Sequence, residues 1–103
     1  REQAFTVEPQ VLFDNQASDK HTIIEITARD RPGLLYDFAR TLVDLKLSIV
    51  SAHISTYGEE AVDVFYVKDR GGHKIQNPAI LQRIRHALLD ALKTNANAAI
   101  AAE

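Results

Sequence analysis

The chain predicts an α+β fold, a four-stranded antiparallel sheet with two helices on one face. Two observations carry this. Four short segments alternate or run apolar in the manner of strands, and two longer ones repeat apolar residues at helical spacing, in the order strand, strand, helix, strand, strand, helix. The links between them are short, which favours antiparallel neighbours and right-handed crossovers. At 103 residues, the length suits one domain with one core.

Residues 1–9 are polar and end at Pro9, as a linker would. Gln10-Val11-Leu12-Phe13-Asp14 reads as a short strand, and Asn15 to Lys20 is a loop of turn formers. His21 to Ala28 is the next strand, so the pair makes a hairpin with a longer loop. A helix is expected over residues 32–46, with Leu34, Leu35, Phe38, Leu42 and Leu45 on its apolar side. Pro32 suits its first turn, because its φ is preset and it lacks an N–H. Ser48 to Tyr57 is a strand with Val50, Ala52 and Ile54 on one face, and Gly58-Glu59-Glu60 turns it into the strand Ala61–Lys68. An exposed loop follows at Asp69–Lys74. Asn77 then caps a second helix with Pro78 at its first position. Ile80, Leu81, Ile84, Leu88, Ala91 and Leu92 form that helix's stripe. Residues 94–103 lack amphipathic order and are expected as a helical extension or a disordered tail, which leaves 10–93 as the domain. The spatial order of strands should be 11–14, 22–28, 61–68, 48–57. Phe38, Leu42, Ile84 and Leu88 should pack on one sheet face.

The net charge of −2 gives no electrostatic case for nucleic acid or an anionic membrane. No apolar run approaches the ~20 residues of a membrane span. Cysteine is absent, which removes disulfides, thiolate metal sites and cysteine nucleophiles. Methionine is absent too, even at position 1, so the chain reads as a fragment of a longer protein. No G-x-S-x-G, phosphate-cradling loop, Asp-x-Asp triad or His-Asp dyad is present, so the segment itself is expected to be non-catalytic. An RNA-binding module of the same outline would need exposed aromatics in the central strands, and strand 22–28 has none.

Arg29-Asp30-Arg31-Pro32-Gly33-Leu34-Leu35 joins a strand to a helix. A helix N-terminus leaves backbone N–H groups free and is a ready anion site. Gly33 permits close approach to the backbone. Asp30 either caps the helix or binds a ligand ammonium, and both readings stand at this point. In the second, the turn holds both charged groups of a free amino acid. The strand 61–68 is apolar on both faces, with Val62, Val64 and Tyr66 on one and Ala61, Phe65 and Val67 on the other. A second copy of the domain is expected to cover the face that the helices leave open. Asp63, mid-strand, is expected to pair with Arg29 or Arg31 or to face water. The histidines His21, His53, His73 and His86 are scattered and read as structural or surface groups, with His53 the one to watch. Arg83, Arg85 and Lys93 read as the solvated side of the last helix.

The turn Arg29–Leu35, with Ile49-Val50-Ser51-Ala52-His53-Ile54-Ser55-Thr56-Tyr57-Gly58-Glu59 and Ala61-Val62-Asp63-Val64-Phe65-Tyr66-Val67, resembles the C-terminal ACT domain of the bacterial PII uridylyltransferase/uridylyl-removing enzymes, roughly over residues 10–93. The resemblance implies a ferredoxin-like ACT fold. The usual ACT order is strand-helix-strand-strand-helix-strand, so this chain would be a permuted version in which 11–14 takes the last strand's place. It also implies a regulatory domain that senses glutamine or another small amino acid. Its parent would be a cytoplasmic nucleotidyltransferase that adds UMP to the PII protein and removes it when glutamine is abundant. Magnesium would belong to that parent's catalytic domain, with no cofactor in this segment. Partners would be a second ACT unit and, through the parent, PII. The ligand is expected at a contact between two ACT units, with Asp30 on the ammonium, the N–H groups of Gly33 and Leu34 on the carboxylate, Arg31 beside them, and Ser48, Ile49 and Val50 of the neighbouring strand closing the pocket. An ACT module of another amino-acid enzyme or regulator, or a pure dimerisation module, is the alternative.

Overall fold

The computed structural model describes residues 7–102, with side chains as far as Lys93. Residues 1–6 of the expected linker and Glu103 lie outside the described residues. The elements are β1 (Gln10–Asp14), β2 (Thr22–Arg29), α1 (Leu34–Asp44), β3 (Ser48–Tyr57), β4 (Glu60–Lys68) and α2 (Pro78–Ala102). The last takes in most of the stretch expected as an extension or tail.

The sheet runs β1-β2-β4-β3 with every neighbour antiparallel, which is the expected order. β1 lies against β2 with Val11 opposite Ile26 and Asp14 opposite Ile23. Both helices cover one face, α1 toward β3 and α2 toward β1. The core they close holds Ile24, Ile26, Phe65 and Val67 from the sheet with Phe38, Leu42, Ile84 and Leu88 from the helices, all essentially without solvent contact. Alternation along β4 is strict. Ala61, Asp63, Phe65 and Val67 are buried, while Val62, Val64 and Tyr66 are half-buried on the outer face.

The ends of α1 depart from expectation. The helix begins at Leu34, not residue 32, because Gly33 sits in the left-handed region at φ 80° and serves as N-cap, leaving Pro32 in the preceding turn. It ends at Asp44 because Lys46 also turns left-handed, at φ 70°. There the Leu47 N–H reaches the Leu42 carbonyl at 3.1 Å and the Lys46 N–H reaches Val43 at 2.9 Å, the paired bonds of a Schellman ending. At α2 the expected cap is present. The Asn77 Oδ1 accepts from the N–H groups of Ala79 at 2.8 Å and Ile80 at 3.4 Å.

Arg85 is half-buried and does more than face solvent. Its Nε and Nη2 donate to the Val11 carbonyl at 3.3 and 3.0 Å, and its guanidinium lies 5.0 Å from the centre of the Phe13 ring. It thus ties α2 to the free edge of the sheet, which blunts that edge. The fully buried Thr22 hydroxyl donates to Asn15 Oδ1 at 2.6 Å and accepts the Ile75 N–H at 2.8 Å, fastening the segment before α2 to the β1–β2 loop.

Candidate functional site

β2 ends at Arg29, and the chain then crosses the top of the sheet. The Asp30 N–H donates to the Glu59 carbonyl at 2.8 Å, so the turn is pinned to the tip of the β3–β4 hairpin. The Arg29 guanidinium meets the Glu59 carboxylate at 3.1 Å, both largely exposed. Arg31 braces the turn from within. Its Nη2 lies 2.8 Å from Asp37 Oδ2 and its Nη1 donates to the Pro32 carbonyl at 3.1 Å. The first α-helical bond runs from the Asp37 N–H to the Gly33 carbonyl at 2.9 Å.

No side chain caps this helix. Asp30 is exposed and makes no side-chain hydrogen bond, so it is not the N-cap and its carboxylate stands free beside the helix start. One expected donor is corrected. The Leu34 N–H is consumed by the Arg31 carbonyl at 3.2 Å and the Leu34 side chain is buried in the core. At the helix start, the N–H groups of Gly33, Leu35 and Tyr36 have no partner among the described residues.

Ser48, Ile49 and Val50 do not meet this turn within one chain. Register places Ile49 opposite Val67, and Val67 opposite Thr22, at the far end of the sheet from Arg29 and Glu60. Seven residues of strand separate those ends, about 23 Å at ~3.3 Å per residue. Register also slips between Ile49 and Ser51, which leaves Val50 as a bulge on the open edge.

Asp63 is the residue whose position was misjudged. It pairs with neither Arg29 nor Arg31, which are engaged by Glu59 and Asp37. Nor does it face water, for it is 2% exposed on the helix-facing side of β4 and its Oδ1 has no hydrogen-bond partner. Burial raises the pKa of its carboxyl above the ordinary value, and the negative charge of Asp30 raises it further. The signal was in the sequence: two-residue alternation puts Asp63 on the face of Ala61, Phe65 and Val67.

His53 is exposed and lies edge-on to the Tyr66 ring at 5.5 Å, with His21 on the other side at 6.1 Å. Among the described residues, no group of three or more His, Cys, Asp or Glu side chains is arranged to hold a metal. No described helix is long and apolar enough to cross a membrane. Two open grooves of about 530 and 460 Å³ flank the 69–77 segment, and neither is lined by the Asp30–Leu34 turn.

The ACR family N-terminal ACT domain matches residues 17–95. That match agrees with the ACT resemblance carried by the motifs of the turn and of the strands 48–57 and 61–68. Over 92 residues the chain is 58% identical to the bifunctional uridylyltransferase/uridylyl-removing enzyme of Azospirillum brasilense, covering 89% of this chain and 10% of that protein. The same-named enzyme of Gluconobacter oxydans is 54% identical over 92 residues, again 89% of this chain and 10% of its own length. That of Caulobacter vibrioides is 48% identical over 102 residues, 99% of this chain and 11% of its own length. The chain thus spans about a tenth of the relatives it matches. A crystal structure of an unknown protein from Galdieria sulphuraria superposes with a TM-score of 0.56 at 19% identity, covering 71% of this chain and 39% of that one, which bears on the fold alone.

Proposed function

The chain belongs to the ACT domain family, and from that premise we propose that it is the regulatory amino-acid-sensing domain of a bifunctional uridylyltransferase/uridylyl-removing enzyme. The parent would be a cytoplasmic enzyme of nitrogen regulation. It would add UMP to PII when nitrogen is scarce and remove it when glutamine is abundant, with magnesium confined to its catalytic regions. The observation that supports sensing is the uncapped turn. A free Asp30 carboxylate stands beside the open N–H groups of Gly33, Leu35 and Tyr36. An α-amino acid carries both complementary charges, an ammonium for Asp30 and a carboxylate for the helix N-terminus. Arg31, already paired with Asp37, would shape the turn more than bind.

The distance of Ser48–Val50 from that turn favours a shared site. Antiparallel pairing of β3 with β3 of a second ACT unit would bring the second unit's strand start beside the first unit's turn. The contact is isologous, so it would form two such sites. The exposed apolar residues of this side, Val50, Ile54 and Tyr57 on β3 with Leu35, Tyr36 and Val43 on α1, suit such a contact. A ligand that bridges two units binds one association state better than another, and so can shift the catalytic regions.

The test is calorimetric titration of the intact parent enzyme with L-glutamine. Asp30→Ala should weaken binding roughly tenfold or more, the value of a charge-assisted hydrogen bond, and should blunt the switch from adding to removing UMP. Lys93→Ala should do neither. If Asp30→Ala leaves both affinity and switch intact, the turn is only a strand-to-helix connection.

A further inference from the structure

We propose, resting on the sensing role above, that Asp63 is a second carboxylate of the ligand site and that it grips the α-ammonium of the bound amino acid together with Asp30. Asp63 is only 2% exposed, yet its carboxyl makes no hydrogen bond to the described residues. Buried carboxyl groups are almost always paired, because removing one from water without a partner is costly. Among the described residues, no ion pair joins Asp63 to the arginines at this end of the sheet: Arg29 meets Glu59, and Arg31 meets the Asp37 carboxylate at 2.8 Å, although its Nη2 makes no well-aligned hydrogen bond.

The position fits a ligand group. Asp63 lies between Ile26 on β2 and Ile54 on β3, in the half of the sheet nearer the turn. The turn is held at that end by the bond from Asp30 to Glu59. On the edge side, the neighbour of Asp63 is Ile54, itself 52% exposed, so the approach from the β3 edge is thinly covered. The proximity of Asp30 is felt electrostatically as repulsion between the two acids. One ammonium between them relieves that repulsion and supplies the missing partner of both. The carboxylate of the same molecule then faces the free N–H groups of Gly33, Leu35 and Tyr36. The ligand class is therefore a primary α-amine that carries a carboxylate, and the amine rather than the side chain is what Asp63 reads.

The experiment titrates the intact parent enzyme with L-glutamine and with its des-amino analogue, 5-amino-5-oxopentanoic acid, in the wild type and in Asp63→Asn, Asp63→Ser and Asp63→Glu. Glutamine affinity should fall about tenfold to a hundredfold in the two neutral variants, as for a charged hydrogen bond, and recover in part in Asp63→Glu. The des-amino analogue should bind the wild type and the neutral variants alike. Glutamine binding within twofold of wild type in folded Asp63→Asn or Asp63→Ser overturns the assignment and leaves the sensing role standing. A wild type that binds no glutamine overturns both. Loss of fold in both neutral variants also overturns the assignment, since it means Asp63 already has a structural partner without ligand.

Discussion

Asp63 shows what a single side chain reveals and conceals. Its face was legible from alternation alone, but its lack of a partner was not, because that depends on which arginines Glu59 and Asp37 have already taken. The consequence for stability has a definite sign. The folded-state pKa lies above the ordinary 3.8, so between the two values the folded chain keeps a proton that the unfolded chain has lost. Stability is therefore full below about pH 3.8 and declines as pH rises through the raised value. Asp63→Asn removes the group that causes the decline. In urea titrations across pH the variant should match the wild type near the ordinary value and exceed it once pH has risen through the raised value. A difference independent of pH would show that Asp63 does not titrate on unfolding. Thr22 is the converse case. Its buried hydroxyl is fully engaged by Asn15 and Ile75, but a partner 53 positions away leaves no local mark in a sequence.

Among the elements, strands were read almost to the residue and helix α1 was not. Apolar spacing continues through Leu45 and so carried the reading past the true end. What stops the helix is the backbone of Lys46, a residue with no preference for positive φ. The left-handed conformation costs a residue with a β-carbon roughly 1–2 kcal/mol, and glycine returns part of that gain through its greater freedom in the unfolded chain. Lys46→Gly should thus raise stability by roughly 0.5–1 kcal/mol in denaturant titration. An unchanged or lower midpoint would mean that the lysine side chain earns its place by contacts of its own. Arg85 was misread for a related reason. A helical wheel places it outside the apolar stripe, and no wheel shows that an unpaired strand carbonyl lies beside that flank.

At the scale of the molecule, the strand order followed from short links, and the permutation followed from a strand too many before α1 and none expected after α2. The site was legible only in half. The turn announced itself by Asp30, Pro32 and Gly33. Within one chain Ser48–Val50 lie at the other end of the sheet, because the helix between two strands carries the chain back and β3 starts where β2 starts. The shared site proposed above would need a second unit to bring those residues to the turn.

The sheet's order divides it into two local hairpins, β1–β2 and β3–β4, joined along a seam between β2 and β4 whose partners are distant in the chain. Each hairpin closes over a short loop, but the seam forms only after α1 has been looped out, which makes it the costlier and later contact. Amide hydrogens along the seam should therefore exchange with solvent only through global opening, while those of β1 and β3 exchange through local fraying. Hydrogen-exchange mass spectrometry would resolve the two classes, and uniform protection across all four strands would contradict the division. The bond from Asp30 to Glu59 is the last rung of that seam. Its exchange rate should reveal whether events at the turn are felt as a tightening of the zipper between the two halves.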